Sequence, residues 1–465
     1  MPKTLAASLA ADALALSLLL ACPVAAQTHG SSTASAQDVG ADQWAADNAP
    51  IASDDKFALH AQTTFVAQGH SRFRSPYEGP NSLTAAPAIK ETFDATIYAG
   101  AQLRQGAELW VDPEIDQGFG LNNTLGVAGF PNGEAYKVGK AHPYFKLPRA
   151  FLRQTIDLGG TRETVAADLN QFAGSHTTDR LVVTIGKLSV ADVFDTNAYA
   201  HDPRGDFLNW TLLDAGTFDY AANAWGYTAG AAIEWYRGRW TARAGAFLLS
   251  DVPNSEHIDW GFAQNQLIGE IEERHSIGDR PGKVRVTGFV TRGRMAKLDA
   301  TTALGTMAGQ PVDPALVRHF ASRPGVSVNL EQEITDDLHA FARAGWADGR
   351  YEAYEFTDVD RSLSGGLALS GNRWCRSRDT FGLAAVVNGA SRARQRFLDA
   401  GGLGILVGDG GLPHPGGEWI VESYYKLAIA KSFHIAIDYQ RVTSPGYNRD
   451  RGPVNVFAVR LHGQM

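Results

Sequence analysis

Cysteine is nearly missing from this chain, with only Cys22 and Cys375 among 465 residues. A multi-cysteine metal centre is excluded, and loss of an N-terminal leader would leave Cys375 without an intrachain disulfide partner. The 13 histidines form no HExxH motif and no Cys/His cluster, so no metal and no cofactor are expected. Phosphate-cradling glycine motifs and G-x-S-x-G elbows are missing too. The formal charge of −8 offers no basic field to nucleic acid. Beyond the leader no run of eighteen apolar residues exists, which excludes a transmembrane helix. A membrane is not thereby excluded, because barrel strands leave a weaker, alternating trace.

Glycine (49 residues) and aromatics (10%) are plentiful, a mix that suits strands and turns. The N-terminus reads as a secretory signal over 1–26. Lys3 supplies the positive region, ALALSLLLA (13–21) the apolar core, and Val24-Ala25-Ala26 the cleavage site. A rival reading makes LLAC (19–22) a lipoprotein signal, which Leu20 and Pro23 fit poorly. Residues 27–56 are Ser-, Ala-, Gln- and Asp-rich without a period, as in a flexible leader.

From Phe57 the pattern turns to period two, and 57–465 reads as one unit. In FALHAQTTFVAQ, Leu59, Ala61, Thr63, Phe65 and Ala67 share one face, with His60, Gln62, Thr64 and Gln68 on the other. TFDATIYAGAQL alternates Phe93, Ala95, Ile97 and Ala99 with Asp94, Thr96, Tyr98 and Gly100. Comparable segments recur to the C-terminus, and their number is about sixteen. Minimal connections (Arg104-Gln105-Gly106, Arg237-Gly238-Arg239, Thr335-Asp336, Lys431-Ser432) mostly alternate with long ones near 70–91, 116–148, 188–224, 293–324 and 389–417. That is the habit of an all-β, antiparallel transmembrane barrel with short periplasmic turns and long external loops. The stretch 159–179 breaks the alternation and suggests an overlooked strand. Trp235 and Trp240 flank a tight turn in outward phase, as an interfacial girdle would, and Trp346 suits the opposite girdle. A soluble sandwich packing these tryptophans inside is the competing reading.

VDPEIDQGFG (111–120) crowds three carboxylates together. Glu114 and Asp116, two apart on a strand, point the same way, whereas glycosidase carboxyls must flank the scissile bond. Catalysis is therefore disfavoured, although a distant partner carboxylate would restore it. Pro113 suggests a strand end passing into a loop. In RAFLRQTIDL, Arg149, Phe151, Arg153, Thr155 and Asp157 share a face that a barrel would turn to its lumen. These arginines either neutralise Glu114 and Asp116 or set a transverse field that suits sugar hydroxyls.

Several stretches resemble the OprB-type carbohydrate-selective porins of Gram-negative outer membranes. They are PEIDQGFGLNNTLGVAGFPNGEAYKVGKAHPY (113–144), RAFLRQT (149–155), GKLSVADVFDTNAYAHDPRGDFLNW (186–210), LHAFARAGW (338–346), GGLGILVGDG (401–410) and DYQRVTSPGYNRDRGPV (438–454). The resemblance implies a sixteen-stranded barrel in outer-membrane lipid, passing small sugars, with glucose-like monosaccharides favoured, past inward-folded loops. The constriction acids would be Glu114, Asp116, Glu134 and Asp195, and its bases Arg149 and Arg153. Asn197, His201, Asp202, Arg204 and Trp210 match the second loop motif. Such porins often form homotrimers and are not enzymes. One departure is VFAVRLHGQM, which ends in Met465 where an aromatic is usual. A general porin without sugar preference, and a secreted glycan-binding β-protein, are the alternatives.

Overall fold

The computed structural model describes residues 52–53, 56–309 and 313–465. The expected signal and nearly all of the leader lie outside them. A two-residue strand β1 (Ala52–Ser53) pairs with the next strand, β2 (Phe57–His70). There follow β3 (Ala88–Arg104), β4 (Ala107–Gly118), β5 (Tyr144–Val165), β6 (Gly174–Leu188) and β7 (Thr228–Arg237). Next come β8 (Trp240–Leu248), β9 (Asn265–Ile277), β10 (Arg280–Met295), β11 (His319–Glu333) and β12 (Leu338–Ala347). The series ends with β13 (Arg361–Ser370), β14 (Thr380–Gly389), β15 (Glu418–Ala430), β16 (Phe433–Thr443) and β17 (Val454–Gln464). Strands β2 to β17 each pair antiparallel with their sequence neighbours. β17 pairs with β2, Leu461 opposite Phe65, which closes a sixteen-stranded barrel without a free edge.

Polarity is inverted relative to a soluble domain. Ile97, Ile115, Leu152, Ile185, Ile233, Leu267, Val286, Leu363, Leu383, Val421 and Ile437 are exposed on the outer wall. Arg323, Arg343, Arg394, Arg451 and Arg460 are fully buried. An apolar band crossing every strand has no place in water and matches a bilayer. Among the described residues no helix is long and apolar enough to span one. Trp235 and Trp240 are exposed at the short-turn end, and Trp346 and Trp419 at the long-loop end, as two girdles require.

Two local expectations need correction. β4 does not end at Pro113 but runs to Gly118, because the proline sits at a register shift between Asp112 and Glu114. A bulge tolerates the missing N–H without ending the ladder. The overlooked strand in 159–179 is no separate element, because 159–165 extend β5 and 174–179 extend β6. β5 and β6 are long, and only 166–173 connects them, which restores the strict alternation of long and short connections.

The apolar core lies inside the barrel, toward the long-loop end. Phe130, Trp210, Phe218 and Tyr220 from the loops pack against Phe247, Phe289 and Ala347 of the wall. Short helices stiffen this packing: α1 (Trp210–Leu213), α2 (Leu298–Ala308) and α3 (Arg392–Asp399). Asn209 caps α1 by accepting from the Thr211 N–H, and Ser391 caps α3 by accepting from that of Arg394.

Candidate functional site

Two long loops turn into the lumen and touch the far wall. In loop 119–143, the backbone N–H groups of Ala128 and Gly129 donate to Glu418 at 2.9 and 2.7 Å, and Pro131 O accepts from Gln68 and Gln440. In loop 189–227, the N–H groups of Leu208 and Asn209 donate to Glu422 at 2.6 and 2.9 Å, and Arg460 donates to the carbonyls of Pro203 and Asp206. These bonds fix both loops across the channel, where they face β3, β4 and β5.

On that facing wall, the pairing sets Asp94 opposite Asp116 and Thr96 opposite Glu114. Glu114 and Asp116 both point inward and are almost wholly buried, as their spacing predicts. Thr96 Oγ1 donates to Glu114 at 2.6 Å. The partner of the two acids is neither arginine anticipated for it but Lys146, whose Nζ lies 3.3 Å from Glu114 and 2.9 Å from Asp116. Strict alternation hides Lys146. Three positions from Arg149, it should face the opposite way. The bulge sets Pro113 against Leu147 and Pro148, so Lys146 and Arg149 both turn inward. Two prolines in register were the available signal. Lys146 Nζ also sits 3.8 Å from the centroid of the Tyr136 ring.

Arg204 comes from the second loop. It lies 3.5 Å from Glu134, 3.6 Å from Asp202 and 3.9 Å from Asp94. Burial pushes the Glu134 carboxyl up, with Arg204 opposing. At Asp202 burial acts in the same direction, but the Arg204 charge, the Arg204 N–H and the charges of His462 and His201 together outweigh it and hold the carboxyl down. Of the residues expected at a constriction, the structure brings Glu114, Asp116, Glu134, Asp202 and Arg204 together, with Lys146, Asp94 and Tyr136, which the sequence reading did not single out, beside them. Asp94 was visible on the polar face of its strand. Asp94 Oδ1 and Asp116 Oδ1 have no hydrogen-bond donor despite their burial, and Asp116 Oδ2 is met only by the Lys146 ammonium.

The other expected residues are placed elsewhere. Arg149 makes a two-pronged pair with Asp192, at 2.8 and 2.6 Å, and lies 5.2 Å from the Tyr227 ring. Arg153 pairs with Glu108 at 2.6 Å. Asp195 accepts from the Ala215 N–H and from Asn329, and pairs with Arg343, while Asn197 donates to Asn329. His201 faces Asp214 at 3.2 Å. Burial works against its charge, but the Asp214 carboxylate holds its pKa up to about 9. Trp210 stacks on Phe130, centroids 5.4 Å apart. Arg153 stays on the β4–β5 wall, and the other groups hold the second loop in place.

No group of three or more His, Cys, Asp or Glu among the described residues could hold a metal ion. The arrangement is a strip of opposed charges where loops approach the wall, inside a barrel that spans a membrane. It can align dipoles and exchange hydrogen bonds with a passing solute.

Known proteins bear on this geometry. The model of the carbohydrate-selective porin, OprB family, matches residues 80–465. The high-pH structure of Pseudomonas putida OprB superposes with a TM-score of 0.65 at 13% identity, covering 88% of this chain and 94% of that one. The outer membrane channel DcaP of Acinetobacter baumannii is also similar, with a TM-score of 0.48 at 10% identity over 90% and 100% of the two chains. No curated sequence relative matches. Family and fold are those of Gram-negative outer-membrane channels, not of enzymes. A barrel with inverted polarity, loops folded into its lumen and a family match over most of its length make this chain a member of the OprB family of carbohydrate-selective porins.

Proposed function

We propose that this porin passes small neutral sugars, glucose-like monosaccharides foremost, by passive and saturable diffusion through the Glu114–Asp116–Lys146–Arg204 strip. The carrying observation is that buried carboxylate oxygens of Asp94 and Asp116 face this strip without a donor. A hydroxyl can supply that donor, and a sugar brings several at once while accepting in turn from neighbouring cations. Occupancy must be brief for flux, so affinity near 1 mM, about −4 kcal/mol, is expected. The family supports the substrate class, and the choice of monosaccharide is our reading of the strip.

Liposome swelling tests it. Vesicles carrying the protein should swell faster in glucose than in a zwitterionic amino acid of similar mass. Equal rates would leave a general diffusion porin without sugar preference.

A further inference from the structure

The β5–β6 hairpin does something no other short connection in the barrel does. β5 loses its β4 partner beyond Gln154, and β6 pairs with β7 only from Arg180 onward. Residues 155–165 and 174–179 therefore continue as a two-stranded ribbon past the rim, at the short-turn end. The ribbon carries register shifts at Gly159, and Gly159 and Gly160 hold φ of +131° and +89°, which side-chain-bearing residues rarely adopt. A Cβ on Gly160 would also lie 2.1 Å from Thr178 Oγ1. This bend returns the tip, 166–173, into the barrel mouth. There Asn170 Nδ2 donates to Asp112 on β4 at 2.9 Å, and Arg153 donates to the Asn170 carbonyl. Phe172 packs on Trp110 with centroids 5.1 Å apart. Beneath the tip, His60 is fully buried, and neither ring nitrogen has a hydrogen-bond partner. Asp112 keeps one carboxylate oxygen unbonded in the same place.

We propose that this inturned tip is a second filter of the pore, at its periplasmic mouth and in series with the acid–base strip. It rests on the porin reading but not on the sugar preference. Polar groups meant only to seal a wall would be paired. His60 and Asp112 instead keep open valences under a cover tied down by few bonds, as a passage that is narrowed rather than walled off requires. Arg153 acts here as a positioning residue, holding the tip through Asn170 while Glu108 holds the arginine.

The experiment compares single-channel conductance and glucose block of the full chain with two variants. In one, residues 158–177 are replaced by an Asn-Gly turn. In the other, Asn170→Ala and Phe172→Ala release the tip and leave the strands whole, which covers a failure of the first to insert. Each should raise conductance, at least about twofold for the deletion, while the half-blocking glucose concentration stays within about twofold. Unchanged conductance in the variants that insert would overturn the second filter. A rise in conductance with no glucose block in any protein, wild type included, would keep the filter and remove the sugar reading.

Discussion

Two charged regions share this lumen, and they differ in what their carboxylates touch. In the loop anchor, Asp219 accepts four backbone N–H groups, from Tyr354, Glu355, Phe356 and Thr357, at 2.6 to 3.2 Å, and pairs with Arg323 at 3.0 Å. Glu418 likewise accepts from Ala128, Gly129 and Gly446. In the strip, Asp116 touches Lys146 and keeps an oxygen without a donor. Both regions are buried, and both pair acids with bases. Burial therefore does not tell these carboxylates apart, whereas their partners do: backbone N–H groups fill Asp219 and Glu418, and none reaches Asp116. A carboxylate used up by backbone N–H groups holds a loop in place, and one with an unused acceptor is available to a solute.

The sharpest way to break the comparison is to damage the anchor. Asp219→Ala takes the nearer of two carboxylates from the buried Arg323 guanidinium and frees four N–H groups, so it should cost about 3–5 kcal/mol of stability. Urea titration of the folded barrel in detergent would show it, and a loss under about 1 kcal/mol would erase the distinction. The mirror-image change is Asp116→Asn. Here stability should stay within about 1 kcal/mol while the half-blocking glucose concentration rises about three- to tenfold.

A pH series sharpens the anchor side further. His201 titrates near 6.5 when unfolded and at about 9 beside Asp214. Its folded pKa is the higher one, so its contribution is fully present below about pH 6.5 and fades as pH rises through about 9. The loss should not exceed about 3 kcal/mol. His201→Asn should flatten that slope, and an identical slope in the variant would contradict the assignment. The smallest effect belongs to the membrane rim. Trp240→Ala, exposed beside its turn, should lower stability by about 1 kcal/mol and leave conductance untouched.

How legible each region is in the sequence follows from how local its cause is. Strand alternation needs only neighbours, so Phe57 to Gln68 and Phe93 to Leu103 announce their faces directly. Loop alternation and the two girdles follow from the same signal. Lys146 was lost because its facing depends on a bulge, and a bulge inverts the phase of all that follows. Asp219 gave no sign, because its partners are backbone groups of a loop more than a hundred positions away. The bend at Gly159–Gly160 broke the alternation visibly, but period two has no vocabulary for a ribbon that doubles back. Arg149 and Arg153 fall on the face the alternation assigns them, but their partners, Asp192 and Glu108, are set by geometry across strands and loops.

The most direct test is glucose titration of single-channel current in a planar bilayer, wild type beside Asp116→Asn. The account predicts stepwise openings that glucose partly closes, with half-block near 1 mM to within about tenfold, and a clearly weaker block in the variant. Openings indifferent to glucose, or blocked equally in both proteins, would contradict the claim that unsaturated carboxylates in the strip receive the sugar.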